Sequence, residues 1–141
     1  MSTRATITFV DGNQELVKLY NHWDGYIEGL GYDIANWLLK KRIVNGISMN
    51  DTDDIANGVG CLVAQFIRDF KEGAGGLYVE PLNSSNEYID YNYRIMITPI
   101  EGTQDCNRMT QISVTCWDNE KPIFVGSPRQ LLHYKEETEV A

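Results

Sequence analysis

The chain has 141 residues, of which 43% are hydrophobic and 11% aromatic, and a formal net charge of −8. This composition is that of a folded protein and excludes a disordered one, and the length suits one domain with a sizeable core. Residues 1–50 carry five acids and five bases, whereas residues 51–141 carry fifteen acids and seven bases, so direct binding of nucleic acid phosphates is not expected.

Targeting segments and metal-binding patterns are not found in the sequence. No segment has the pattern of a signal peptide, and no apolar run approaches the ~18 residues that span a bilayer. We therefore expect a soluble, cytoplasmic protein with no membrane partner. The three cysteines, Cys61, Cys106 and Cys116, show no CxxC spacing, and the two histidines lie far apart. The sequence thus predicts no disulfide framework, no metal site and no cofactor.

The chain begins with a predicted β-hairpin followed by a helix. Residues 5–10 and 15–20 alternate in polarity on either side of an Asp-Gly turn, which is typical of a tight hairpin. The segment LYNHWDGYIEGLGYD (residues 19–33), here called the opening loop, comes next. Apolar residues then recur every three or four positions up to the basic run at 40–42. Because the loop contains several glycines, the regular helix is predicted to begin only near Tyr32.

A second helix is predicted after the first. Its predicted cap and first turn are Asn50 or Asp51, then Asp53 and Asp54, and its apolar face is Ile55, Val59, Leu62, Val63, Phe66, Ile67 and Phe70. The glycine-rich run at 73–76 would end it. Gly58 and Gly60 weaken a helix, so they predict the close approach of another backbone, most simply that of the first helix.

The rest of the chain is predicted to form strands and a short helix. The predicted strands are residues 77–82, 88–98, 110–117 and 122–126. In the second of these, Tyr91 and Tyr93 share one face and Asn92 and Arg94 the other, and the pattern leaves open which face is buried. The Ser-Pro pair at 127–128 predicts the start of the last helix.

These elements predict an α+β fold. We expect an antiparallel β-sheet of about six strands, with two consecutive helices packed on one face and a short C-terminal helix. Residues 1–135 would form a single domain, and residues 136–141 a charged C-terminal tail.

The opening loop has a catalytic and a structural interpretation. His22 could act as a general acid or base with Asp24 as its orienting carboxylate. No nucleophile motif accompanies the pair, however, so no catalytic residue is assigned. The structural interpretation is favoured: Asp24 caps the helix, Gly25 allows the turn, and Trp23 and Tyr26 pack on the edge of the core.

Aromatic and cationic side chains provide a candidate ligand site. Flat rings stack on a base and a guanidinium holds a phosphate, so a small nucleotide-like molecule would suit them. The candidate ligand-binding residues are His22, Trp23, Tyr26, Tyr91, Tyr93 and Arg94. The alternative is that the tyrosines form a sheet face packed under the helices, as alternate aromatic residues often do.

Two acidic clusters provide a candidate surface for a basic protein partner. The cluster at 51–58 does not fit a calcium loop, because its fifth and sixth positions are Ile55 and Ala56. The candidate partner-binding residues are Asp51, Asp53, Asp54, Glu136, Glu137 and Glu139. Solubility is the alternative explanation for these charges.

Several short motifs resemble a family of small, mostly uncharacterised phage and bacterial proteins. They are the opening STRATITF, the LYNHWDGY segment and the closing IFVGSPRQLL. The positions that fit the family pattern are Ser2 or Thr3, Arg4, Tyr20, Asp24, Gly25, Tyr26, Gly126, Ser127 and Pro128. Ile27 stands where the pattern more often has proline, and residues 45–110 carry none of the motifs. The family brings no settled activity, but the resemblance implies a phage or mobile-element protein, and such small acidic proteins often bind a host component.

Three functional hypotheses follow. The first is a non-enzymatic binding protein of phage type that inhibits or sequesters a host factor, such as a defence component, and forms a homo-oligomer. The second is a protein that binds a small molecule, namely a nucleotide or a nucleotide-derived signal, between the opening loop and the tyrosine-bearing strand. The third and least favoured is a hydrolytic enzyme that uses His22 and Asp24.

Overall fold

The computed structural model describes residues 2–44, 46, 52–99 and 110–135. The elements in chain order are β1 (Ala5–Asp11), β2 (Gln14–Asn21), a π-helical turn (Ile27–Gly31), α1 (Tyr32–Leu39), β3 (Arg42–Val44), β4 (Ile55–Asn57), α2 (Gly58–Phe70), β5 (Leu77–Glu80), β6 (Tyr91–Pro99), β7 (Thr110–Asp118), β8 (Lys121–Gly126) and α3 (Pro128–Leu132). The predicted tail at 136–141 lies outside the described residues.

The main sheet has six strands in the order β5-β2-β1-β6-β7-β8. The predicted α+β class and strand number are confirmed, but the prediction of a purely antiparallel sheet is wrong. Strands β1 and β6 pair in parallel, with Ala5 opposite Tyr91, while the other neighbours in this sheet are antiparallel. Alternating polarity is the same in both kinds of pairing, and the direction of β6 is set by the path of residues 81–90 across the sheet, which local sequence does not reveal.

A small parallel sheet precedes α2, where the sequence predicted a helix. Strands β3 and β4 pair with Ile43 opposite Ala56, so residues 55–57 are extended. The helix begins at Gly58, whose φ of +84° lies in the left-handed region that a continuous right-handed helix does not tolerate. Asp53 and Asp54 therefore precede a strand instead of forming the first turn of the helix.

The prediction of a backbone packed closely against the α2 glycines is also wrong. A Cβ added at Gly58 or Gly60 would meet no described atom within 4 Å. The first glycine is explained by its positive φ, which a side chain disfavours. No contact in the described part of the chain explains the second.

Strand β6 shows which face of the sheet is buried. Tyr93, Ile95 and Ile97 are almost completely buried, whereas the alternate residues Asn92 and Arg94 are only partly so. Because successive strand residues point to opposite faces, one side of the sheet belongs to the core and the other is polar.

The helices join this core through aromatic contacts. The ring of Phe66 in α2 lies 5.0 Å from Phe9 of β1 and 5.2 Å from Trp37 of α1, measured between centroids. Helix α1 also packs against α3, whose Leu131 is fully buried. Among the described residues, no helix combines the length and the apolar character needed to cross a membrane.

The starts of α1 and α3 agree with the sequence, whereas the late start of α2 and the role of Asp24 differ from it. Helix α1 begins at Tyr32 as predicted, and Ser127 caps α3 in a capping box with Gln130. Asp24 is not a side-chain cap. Its φ is +52°, and its main-chain carbonyl accepts a hydrogen bond from the Leu30 N–H at 2.9 Å. The main-chain carbonyl of Asp24, and not its side chain, therefore accepts a hydrogen bond from the start of the helical segment.

Gly25 fixes the opening loop against the main sheet. Its N–H donates to the Thr3 carbonyl at 2.9 Å, and its carbonyl accepts from the Tyr93 hydroxyl at 2.6 Å. A Cβ at this position would lie 2.7 Å from the Ala5 Cβ and 2.8 Å from the Thr3 oxygen. Glycine is required here by close backbone approach, in addition to the turn that the sequence indicated.

Gly25→Ala is expected to lower the free energy of unfolding by about 1–3 kcal/mol, because the added methyl overpacks the contact with β1. Gly60→Ala is the matched control, and it should raise stability by about 0.4–1 kcal/mol, because its Cβ meets open space in a helix. Urea denaturation of both variants tests the pair. Equal effects of the two substitutions would contradict the packing assigned to Gly25.

Candidate functional site

A cleft of about 710 Å³ opens beside the opening loop, between α1, the end of α2 and the turn before β5. We call it the acidic cleft. It is defined by the aromatic side chains Trp23, Trp37 and Phe70, the carboxylates of Asp24, Asp33, Asp69 and Glu72, and the ammonium of Lys40. Acidic groups outnumber basic groups in its lining, so a cationic ligand is favoured there over an anionic one.

Trp37 is held rigidly in the wall of the acidic cleft. Its ring stands edge-on to Phe66 and Phe70, with centroid distances of 5.2 and 6.1 Å. Its indole N–H donates to Asp69 Oδ2 at 2.8 Å. The ammonium of Lys41 lies 4.9 Å from the ring centroid. This indole therefore already binds one cation of its own chain.

Trp23 and Tyr26 are exposed, contrary to the prediction that they pack on the edge of the core. Their exposed fractions are 56% and 38%. Ile27 and Leu30 fill the core beneath the loop instead. Trp23 makes an edge-on contact with the His22 ring, with a centroid distance of 4.4 Å. An indole in this position is available to a partner.

The glycine-rich turn at 73–76 supports the loop from below. The His22 N–H donates to the Gly76 carbonyl at 2.8 Å. The Lys71 ammonium donates to the carbonyls of Gly75 and Leu77 at 2.9 and 2.7 Å. The turn that ends α2 is thereby tied both to the opening loop and to β5, and it forms one wall of the acidic cleft.

The carboxylates of the acidic cleft differ in how they are paired. Asp69 accepts hydrogen bonds from Arg68 Nε at 2.8 Å and from the Trp37 indole, which lower its pKa to about 2. Within the described residues, Asp33 and Glu72 form no ion pair and no side-chain hydrogen bond. The unpaired carboxylates are the ones that can bind an incoming cation without giving up a partner.

His22 and Asp24 are not arranged as an acid–base pair. The His22 Nδ1 is 2.6 Å from the Tyr20 hydroxyl, and desolvation raises the pKa of that tyrosine. The Asp24 carboxylate receives a long contact of 3.5 Å from the Tyr26 hydroxyl. No hydrogen bond joins the imidazole to Asp24 among the residues that the structure describes.

The six candidate ligand residues do not converge on one site. Tyr93 is only 1% exposed, and burial raises the pKa of its hydroxyl, which is bonded to Gly25. Tyr91 packs half-buried against the same core. Arg94 lies on the opposite face of β6, where Nη1 pairs with Glu15 at 3.1 Å. Because neighbours on a strand point to opposite sides, the side chains of Tyr93 and Arg94 lie on opposite faces of the sheet.

The candidate partner-binding acids are only partly described. Asp53 pairs through both its oxygens with Arg68, at 2.9 and 3.0 Å, and Asp54 accepts a hydrogen bond from Thr52. Those two acids thus have partners within the chain. The others, Asp51, Glu136, Glu137 and Glu139, lie outside the described residues.

The sequence carries a signal for the acidic cleft in the spacing of its aromatic and acidic residues. Asp33 and Trp37 are four residues apart on α1, and this spacing places them on one helix face. Asp69 and Glu72 flank Phe70 at the end of α2, so that aromatic and acidic side chains occur together in both elements. Only the packing of the two helix ends brings these pairs to the same cleft.

A second pocket, of about 460 Å³, lies on the polar side of the sheet. We call it the polar-face pocket, defined by Thr6, Thr8, Lys18, Asn92, Arg94 and Trp117. Two of the predicted ligand residues, Tyr93 and Arg94, line this pocket, although the Tyr93 side chain is almost completely buried. Within the described residues, no group of three or more His, Cys, Asp or Glu side chains is arranged to hold a metal ion.

Comparisons with protein families, with curated proteins and with solved structures found no match to this chain. The functional proposals therefore rest on the acidic cleft, the polar-face pocket and the charges around them. The resemblance to short phage and bacterial proteins stays an expectation from the sequence motifs.

Asp69→Asn should lower the free energy of unfolding near neutral pH by no more than about 1 kcal/mol, because the carboxylate is about one-third exposed. Its pKa is lowered on folding, so this stabilisation is complete above about pH 4 and is lost as the pH falls through about 2. Denaturation of wild type and variant at several pH values gives the difference in their free energies of unfolding. A side-chain carboxyl NMR titration gives the pKa of Asp69 directly. Glu72→Gln is the control at an unpaired acid, and a pH-independent effect of Asp69→Asn would contradict the pairing.

Proposed function

We propose that this chain is a non-enzymatic binding protein that captures a partner protein by a lysine- or arginine-bearing segment in the acidic cleft. The observation that carries the proposal is the exposed indole of Trp23 beside the unpaired carboxylates of Asp33 and Glu72. Aromatic faces and carboxylates together bind a guanidinium or an ammonium better than either does alone.

The two tryptophans have different roles in this proposal. Trp37 is fixed by its bond to Asp69 and already carries the Lys41 ammonium, so it serves as a rigid wall. Trp23 has no such cation over its ring in the described structure, and more than half of it is exposed. It is the side chain on which we expect the partner to stack. Large exposed aromatic residues are the usual anchors of protein interfaces.

The charge of the whole chain supports a basic partner. The cleft lining has four carboxylates against one ammonium, and the chain carries a net charge of −8. Such a surface attracts a basic segment over long distance and raises the rate of association, an effect that salt screens. The solubility conferred by the same charges does not explain why aromatic side chains lie exposed among them.

The architecture of the acidic cleft depends on α1 and α2 lying on the same side of the sheet. The Phe9–Phe66 and Phe66–Trp37 contacts support this arrangement, since one phenylalanine of α2 reaches both the sheet and α1. The ends of the two helices then stand side by side next to the opening loop.

The resemblance to short phage and bacterial proteins supports a host factor as the partner. In this proposal the chain acts in the cytoplasm of the host cell, as a homo-oligomer, and inhibits or sequesters that factor. A defence component is the class of host factor that we favour. A hydrolytic enzyme using His22 and Asp24 is the least favoured alternative, because the imidazole is engaged by Tyr20.

The expected result is binding of an arginine-rich peptide that is lost when its arginines are replaced by glutamine. Trp23→Ala, and separately the double variant Asp33→Asn with Glu72→Gln, should each weaken peptide binding by about tenfold or more, because each removes a cation partner. Isothermal titration calorimetry at low and high salt measures the affinities. Salt should weaken binding to wild type more than binding to the double variant.

The matched control is the double variant Asp11→Asn with Glu87→Gln, which removes two exposed acids outside the acidic cleft. It should bind the peptide as wild type does. If the control and the cleft variants lost affinity equally, the binding would come from overall charge, and the site proposed here would be wrong. The same four proteins used as bait in a host lysate then show whether the captured partner depends on the cleft.

A further inference from the structure

The polar-face pocket is built from two adjacent rows of side chains that cross the sheet. In the first row Thr6 lies opposite Asn92, which lies opposite Trp117. In the second row Thr8 lies between Lys18 and Arg94. Residues two apart on a strand share a face, so both rows point to the same side, opposite to the helix-bearing core. Hydroxyls, an amide, an indole and two cations are thereby gathered over the middle of the sheet.

Lys18 is the buried cation of this pocket. The residue is 5% exposed, and its ammonium donates to the Ser84 carbonyl at 2.8 Å and to Asn86 Oδ1 at 2.7 Å. Both acceptors are neutral, and no carboxylate of the described chain lies within ion-pair distance of the ammonium. Desolvation lowers the pKa of Lys18, while the charges of Glu80 and Glu15 act in the opposite direction. Burying an ammonium that has no carboxylate in contact with it is costly, and an anionic ligand at the ammonium would offset part of that cost.

Arg94 is the exposed cation, and its present partner is replaceable. Its Nη1 lies 3.1 Å from Glu15 Oε2, and both side chains are between one-third and one-half exposed. Such surface pairs contribute only about 0–1 kcal/mol, so a better-placed anion displaces the carboxylate at little cost. The position of the Glu15 carboxylate shows where an anion contacts the guanidinium.

Trp117 and Asn92 provide the other half of the pocket. An indole offers a stacking surface for a flat ring, and the amide recognises its polar edge. The Thr6 hydroxyl donates to Asn92 Oδ1 at 2.5 Å, which holds that amide in a fixed orientation. The row that contains Thr6 and the row that contains Thr8 are about 7 Å apart along the strands, a distance that a sugar spans between a base and its phosphate.

We propose that the polar-face pocket binds a nucleoside monophosphate, with its base on Trp117 and its phosphate between Lys18 and Arg94. The volume of about 460 Å³ lies within the roughly 300–1,000 Å³ typical of small-molecule sites. Two carboxylates, Glu15 and Glu120, also line the pocket and limit the negative charge that it accepts. A single phosphate is therefore favoured over a polyphosphate. The site lies on the other side of the sheet from the core and stands independently of the function proposed for the acidic cleft.

Calorimetric titration of the whole chain with three groups of probes tests the proposal. The probes are the four ribonucleoside 5′-monophosphates, the corresponding unphosphorylated nucleosides, and inorganic phosphate. At least one monophosphate should bind about tenfold or more tightly than both its nucleoside and phosphate, because the ring and the charge contribute separately. Equal binding of inorganic phosphate would overturn the assignment of a base site, and no binding of any monophosphate would overturn the proposal.

Three single substitutions locate the binding. Arg94→Gln should lower the affinity for the tightest-binding monophosphate by about tenfold or more, because it removes a charged hydrogen bond to the phosphate. Glu15→Gln should raise the affinity for the same monophosphate, because the substitution removes the carboxylate that competes with the phosphate for Arg94. Arg129→Gln on α3 is the matched control and should leave the affinity unchanged. A Glu15→Gln variant that binds more weakly, or an Arg94→Gln variant that binds as wild type, would overturn the placement of the phosphate.

Lys18→Met tests the phosphate position a second time, without changing the ion pair between Arg94 and Glu15. Methionine keeps much of the apolar volume and removes the ammonium, so the monophosphate should bind about tenfold or more weakly. If this variant does not fold, the Arg94 and Glu15 substitutions still decide the proposal, since both side chains are partly exposed. Unchanged affinity in a folded Lys18→Met protein would contradict the role of the buried cation.

Discussion

Strands β1 and β6 run side by side in the same direction in the middle of the main sheet, with Ala5 opposite Tyr91. Parallel neighbours cannot be joined by a tight hairpin, so the chain between them must leave the sheet and return by a crossover. Helices α1 and α2 and the small β3–β4 sheet lie between the antiparallel neighbours β2 and β5, and residues 81–90 then cross from the end of β5 to the start of β6. Phe66 of α2 reaches Phe9 of β1, so the helices inserted between β2 and β5 pack against this central strand pair.

The same pairing gives the two sides of the sheet different chemistry. On one side Ile7 and Tyr93 lie opposite each other and are almost completely buried. On the other side the register sets Thr8 opposite Arg94, one strand away from Lys18. Burial supplies the free energy of folding on the first side, where apolar surface leaves water. The second side keeps polar groups that the core does not need, and a pocket forms over them.

Local signals in the sequence predicted the elements that depend on local physics. The Asp-Gly turn, the glycines before Tyr32 and the Ser127 cap each act within a few residues, and the hairpin, α1 and α3 lie where these signals placed them. The direction of β6 and the β3–β4 pairing depend on contacts far apart in the chain, which leave no local pattern. The exposure of Trp23 was missed for a related reason, because Ile27 and Leu30 competed for the same space in the core. The polar-face pocket was missed because its residues come from four separate strands, from the segment 82–86 and from the turn after β7.

The two pockets are joined by one short path through the core. Tyr93 lies between Asn92 and Arg94 of the polar-face pocket, and its hydroxyl bonds to Gly25, two residues from Trp23 in the acidic cleft. Coupling between sites requires an element on this path with two alternative arrangements. Tyr93 is 1% exposed, and a Cβ at Gly25 would lie 2.7 Å from the Ala5 Cβ, so both groups are tightly packed. The hydrogen bond between Tyr93 and Gly25 therefore supports both sites at once, because it joins the strand that carries Asn92 and Arg94 to the loop that carries Trp23.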